Sequence, residues 1–110
     1  VLFDYLYIED LIRAVKWVIN GSPKRNSYNI CSGEVHSYRS LADIVNKVSG
    51  KRLKIEKQDY PWEFEYSGDN SIFLEEASDF KFTHTEDAIK SLYSWYDSNK
   101  GIIDDKLFEY

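Results

Sequence analysis

The sequence predicts an α/β chain, a small helix-rich lobe with a short parallel sheet. Apolar residues recur at helical spacing in several stretches. Two short segments with strand character flank the second of these stretches. A strand–helix–strand order with a helical crossover implies parallel pairing, which needs cover on both faces. Two short strands make a poor independent sheet, so the lobe reads as one built to lean on something larger.

Ile8, Leu11, Ile12, Val15, Val18 and Ile19 form one apolar face and predict a helix from about Ile8 to Asn20. Glu9 and Asp10 suit the positive end of its dipole. Asn20-Gly21 and Pro23 end it, with Gly21 expected in a left-handed cap. Ser27 to Cys31 is short, β-prone and bounded by turn residues, hence a strand. Ser37 has the chemistry to cap a second helix carrying Leu41, Ile44, Val45 and Val48, ended by Gly50. Arg52 to Glu56 alternates with period two, a half-buried strand. Gln58 to Asn70 holds Pro61, Trp62, Phe64, Tyr66 and Gly68, and connections this long are often functional. Ser71 to Asp79 reads as a short helix. Thr83 with Glu86 three residues on is a capping box, opening a helix with Ile89, Leu92, Tyr93 and Tyr96 that ends near Lys100-Gly101.

Composition narrows the classes of function. With 110 residues the chain is one small domain, and 43% hydrophobic and 16% aromatic content supplies a core and excludes disorder. No apolar run approaches the roughly 18 residues of a membrane span. A net charge of −5 argues against a nucleic-acid partner. Cys31, the single cysteine, fits a reducing, cytoplasmic compartment. The chain lacks methionine and starts at Val1, which reads as a piece of a longer parent.

Most chemical motifs are absent or better explained otherwise. Glycines at 21, 33, 50, 68 and 101 never approach a dinucleotide or phosphate loop. Cys31, His36 and His84 lack metal-ligand spacing. Tyr96 and Lys100 match Tyr-x-x-x-Lys, in which the lysine lowers the tyrosine pKa. At a helix end with no cofactor loop nearby, a core tyrosine and a dipole-favoured lysine explain the pair better. Glu75-Glu76 and Asp104-Asp105 are solvated neighbours. Trp62, in the long loop, is a candidate for stacking on a sugar.

Three segments together resemble the extended short-chain dehydrogenases/reductases, the NAD-dependent epimerase/dehydratase family that acts on nucleotide sugars. Asp4-Tyr-Leu-Tyr-Ile-Glu-Asp-Leu-Ile-Arg-Ala14 resembles that family's RDFIYVDDVVRA segment. Tyr28-Asn-Ile-Cys-Ser-Gly33, followed by Ser37 and the Leu41–Val48 helix, resembles its YNIGSGE region. Gly68-Asp69, Phe80 to Thr83, Ala88-Ile89 and Trp95-Tyr96 resemble its R-x-G-D and closing helix.

The resemblance implies that residues 1–101 are a C-terminal substrate-binding lobe and 102–110 a tail. It implies an upstream Rossmann half holding NAD or NADP and the catalytic residues, leaving none catalytic here. The implied partners are a nucleotide-sugar substrate and that half. Tyr5 matches an aromatic position lining the substrate cleft, Tyr38 one near the nucleotide, and Asp69 an acid able to accept from a ribose hydroxyl. Two family arginines that meet the diphosphate are replaced, by Phe3 and by Tyr66, which makes Tyr66 the fourth candidate substrate contact. Three explanations stand: another base takes over, with Arg39, Arg52 and Lys54 the candidates by position; the substrate is held differently; or the family pattern aligns a residue or two away. Cys31 stands where the family usually has glycine. Without its other half the lobe is expected to self-associate, through Tyr5, Tyr7, Trp17, Trp62, Phe64 and Tyr66.

Overall fold

The computed structural model describes residues 2–57 and 64–108. The order is β1 (Phe3–Asp4), α1 (Ile8–Asn20), β2 (Val35–His36), α2 (Tyr38–Ser49), α3 (Ser71–Glu76) and α4 (Thr85–Ser98), followed by 3-10 turns at Lys100–Ile102 and Asp105–Phe108. The chain is a small helix-rich domain with a two-stranded sheet. Among the described residues no helix is long and apolar enough to cross a membrane.

α1 forms where its periodicity places it, but it turns the other way. Its buried residues are Asp10 and Ala14, each 1% exposed, with Trp17 half-buried on the same side. The side chains at the apolar positions point outward, with Ile8 57%, Ile12 47% and Ile19 72% exposed. Ala14 is small enough to admit the ring of Phe73, and the Asp10 carboxylate has partners inside. Gly21 is extended, not left-handed: its N–H donates to the Trp17 carbonyl at 2.9 Å, and a β-carbon there would lie 2.6 Å from that oxygen.

Phe73 of α3 is fully buried and is the hub of the core, meeting Trp17 at 5.3 Å and Phe80 at 5.0 Å between ring centroids, edge to face. Tyr28 and Phe82 complete the ring of aromatics at 6.2 and 6.1 Å. Edge-to-face pairs add about 0.5–1.5 kcal/mol each beyond burial. The Arg13 guanidinium lies 4.6 Å above the Phe80 ring and closes the cluster on the solvent side.

α2 begins as expected, with Ser37 Oγ accepting from the Ser40 amide at 3.1 Å, and ends at Gly50 in the left-handed region. It packs against α4, and Lys47 pairs with Glu86 across the two helices at 2.7 Å.

The expected parallel sheet is not the one formed. β1 and β2 pair antiparallel, Phe3 with His36 and Asp4 with Val35. Neither 27–31 nor 52–56 is a strand, and in each a side chain takes backbone groups that a ladder would use. Asn46 of α2 donates to the Leu53 carbonyl at 2.9 Å and accepts from the Leu53 amide at 3.2 Å, tying that segment to its own helix. The Cys31 carbonyl accepts from the Asn70 side chain at 2.9 Å. Parallel pairing occurs only as an isolated bridge between Phe3 and Tyr66 among the described residues. Trp62 and Pro61 lie outside the described residues. The Thr83–Glu86 capping box is also replaced: α4 starts at Thr85, and Thr83 is held by Asp10.

Candidate functional site

Asp4, Asp10 and Glu34 each draw distant segments together by their carboxylates. Asp4 Oδ1 accepts from the Ser32 amide at 2.9 Å and the Ser32 hydroxyl at 2.7 Å, while Oδ2 accepts from the Gly33 amide at 2.8 Å. Gly33 has a φ of 81°, a conformation that side chains with a β-carbon resist. On the other side of this turn, a β-carbon on Gly68 would stand 2.6 Å from the Cys31 sulfur. Asp4, the Cys31–Gly33 turn and Gly68–Asn70 are therefore in mutual contact. Burial, then the negative charges of Asp4 and Asp69, push the Cys31 thiol up, which keeps it protonated and packed.

Asp10 accepts from the Thr83 amide and hydroxyl, both at 2.8 Å, and from Arg13. Burial opposes its ionisation, yet the bonds from Arg13 and Thr83 outweigh this and hold the carboxyl below its ordinary range. Glu34 takes His84 Nδ1 at 2.7 Å, the Thr85 hydroxyl at 2.9 Å and the Thr85 amide at 3.2 Å. It thereby caps α4 from a distant turn, and the His84 contact leads in holding its carboxyl down to about 2. His36 Nε2 lies 3.5 Å away on the same carboxylate.

Of the four sequence-selected residues, two come together. The Tyr5 and Tyr38 rings lie 6.2 Å apart, and Phe3 joins them at 6.1 and 5.7 Å. The Tyr5 hydroxyl is buried and bonded to none of the described residues. Burial pushes its pKa up to about 12, with the nearby Tyr38 phenol adding to the shift. Tyr38, the first residue of α2, is 67% exposed and presents its ring to solvent. Tyr66 is also exposed, and its backbone brackets Phe3: the Asp4 amide donates to the Tyr66 carbonyl and the Tyr66 amide to the Leu2 carbonyl, both at 3.1 Å. Asp69 is exposed at the Cys31 side of the assembly, where its carboxylate accepts from the Ser71 amide at 2.9 Å.

In the sequence Phe3 stands out only as a departure from the family pattern, and its place in the aromatic cluster follows from its pairing with His36 and Tyr66. Nothing in the spacing of Glu34 and His84 announced their contact across fifty residues. Of the basic candidates, Arg39 and Arg52 are exposed, while Lys54 is paired with Glu56 at 2.9 Å. Lys100 is paired with Asp97 at the end of α4, in keeping with a helix-end role.

Two open clefts, of about 560 and 500 Å³, share Trp17 and Glu76. Neither is lined by Tyr5, Tyr38, Tyr66 or Asp69. Among the described residues no three acids, histidines or cysteines gather as a metal site would require. No family model matches the chain, and no curated protein matches its sequence.

Proposed function

We propose that the chain is the C-terminal, substrate-binding lobe of a cytoplasmic NAD(P)-dependent nucleotide-sugar epimerase, dehydratase or reductase. The observation that carries this is the contact of Asp4 with Ser32 and Gly33: it joins two of the segments on which the resemblance rests, and Asn70 and Gly68 bring in the third. A family's separated motifs are expected to meet where they serve one site. In this reading the exposed ring of Tyr38, backed by the Tyr5 ring, forms the wall that meets the nucleotide, with Tyr66 and Asp69 at its margins.

The cofactor has no seat in this chain, whose glycines are too widely spaced for a dinucleotide loop. It belongs to the Rossmann half, as does all hydride chemistry, and the lobe contributes recognition alone. The test is a backbone NMR titration of the chain with UDP-glucose and dTDP-glucose, accompanied by a cofactor-reduction assay. Shifts centred on Tyr5 and Tyr38 without any NAD reduction are expected. Shifts elsewhere, or turnover by the chain alone, would overturn the assignment.

One observation favours a second reading, a non-catalytic nucleotide-binding or partner-docking module. The two positions where the family pattern has arginines, Phe3 and Tyr66, are paired through their backbones, and both are aromatic. A diphosphate would find no guanidinium at this pair, where charge-assisted bonds contribute about 1.5–3 kcal/mol each. Ligand binding by the longer parent without hydride transfer would select this reading.

A further inference from the structure

α1 carries a stripe of Ile8, Leu11, Ile12, Val15, Val18 and Ile19, all at least 38% exposed. Their spacing, i, i+3, i+4, i+7, i+10 and i+11 from Ile8, places them on one side of the helix along nearly its whole length, as in the seam of a helix pair. The opposite side of α1 is occupied by the core through Asp10, Ala14 and Trp17.

Two exposed charges border the stripe. Glu9 and Lys16 are seven residues apart, so they lie two turns apart on the same flank. A two-fold axis lying between two antiparallel copies, level with residues 12 and 13, brings position 9 of one copy opposite position 16 of the other. In an antiparallel pair of α1 helices Glu9 of each copy then faces Lys16 of the other, twice over, while the apolar side chains meet along the seam. An isologous contact demands this self-complementarity of charge.

We propose that the stripe is the interface of a symmetric dimer in which α1 packs antiparallel on α1 of a second copy. The contact uses residues other than the aromatics through which the sequence predicts self-association. It stands on α1 alone, independently of the nucleotide-sugar reading. Exposed apolar patches of this continuity mark interaction sites on soluble domains.

Sedimentation equilibrium from micromolar to near-millimolar concentration tests it. The expected mass is twice the 13.0 kDa of the chain, reached reversibly. Ile12→Glu and, separately, Val15→Lys should give monomers with unchanged far-ultraviolet dichroism. Glu9→Lys or Lys16→Glu alone places like charges opposite each other twice and should weaken the dimer about 2- to 30-fold for the two pairs lost, given about 0.2–1 kcal/mol per exposed pair. The double reversal restores complementarity and should recover the dimer. A monomer at every concentration would overturn the proposal. So would open-ended association, or a dimer indifferent to the single reversals, which would assign the stripe to a different occupant.

Discussion

The carboxylate of Asp4 holds Ser32 by two bonds, one to its amide at 2.9 Å and one to its hydroxyl at 2.7 Å. The same side chain reaches Gly33, so a residue in a two-residue strand governs a turn 28 positions away. Bonds to a charged acceptor contribute about 1.5–3 kcal/mol each, and partial exposure reduces their sum. Asp4→Ala should therefore cost about 2–4 kcal/mol in urea unfolding. A loss below about 0.5 kcal/mol, the scale of ordinary surface changes, would mean that the turn stands without it.

Phe73 fixes the core. Its ring is fully buried against Trp17, Tyr28, Phe80 and Phe82. Phe73→Ala should destabilise the chain by about 3–5 kcal/mol, enough to unfold many domains of this size. Phe73→Leu should cost less. Equal effects from the two would show that ring shape is unimportant there.

Cys31 and Gly68 fit as a pair. Gly68→Ala forces a β-carbon against a buried sulfur and should cost about 1–3 kcal/mol. Cys31→Ala removes the sulfur, so the double variant should be more stable than the sum of the single changes predicts. Additivity in a double-mutant cycle measured by thermal unfolding would separate the two sites.

The clasp of Glu34 on His84 makes stability depend on pH at two limbs. Glu34, lowered from 4.5 to about 2, contributes fully above the ordinary carboxylate range and loses its contribution as pH falls toward 2. Asp10, also lowered, adds to this acid limb. His84 is raised above 6.5 by Glu34, so its contribution is complete below 6.5 and fades as pH climbs through the raised value. Asp87, on α4, adds a smaller push in the same direction. Urea midpoints across pH should therefore peak between about 4.5 and 6.5. His84→Ala should remove the upper limb and also weaken the acid limb, because His84 leads in lowering Glu34, and Glu34→Gln should remove the upper limb and leave only the share of Asp10 in the acid limb. An unchanged upper limb in His84→Ala would assign that limb to other groups.

The sequence discloses helices better than it discloses what they face. Periodicity places α1 and α2, and the Ser37 cap and Gly50 stop are local events readable in a few residues. The facing of α1 is not legible, because a polar residue, Asp10, is buried beside Ala14 while the larger apolar residues face outward. Its partner Thr83 lies 73 residues away. That same contact takes the hydroxyl that local spacing assigned to a capping box. The strand at 52–56 failed for a related reason: Asn46 supplies both of Leu53's backbone bonds, and a side chain competing with a sheet leaves no mark in alternation. At the site, Tyr5 and Tyr38 were found through resemblance, while the neighbourhood of Phe3 and Tyr66 required the fold.

Sequencing the reading frame upstream of the Val1 codon tests the lobe assignment most directly. The account predicts about 150–200 further residues, with a strand running into a Gly-rich loop and, later, a Tyr-x-x-x-Lys pair. A frame lacking both motifs would contradict the dehydrogenase assignment and leave the Tyr5–Tyr38 wall as part of a binding module.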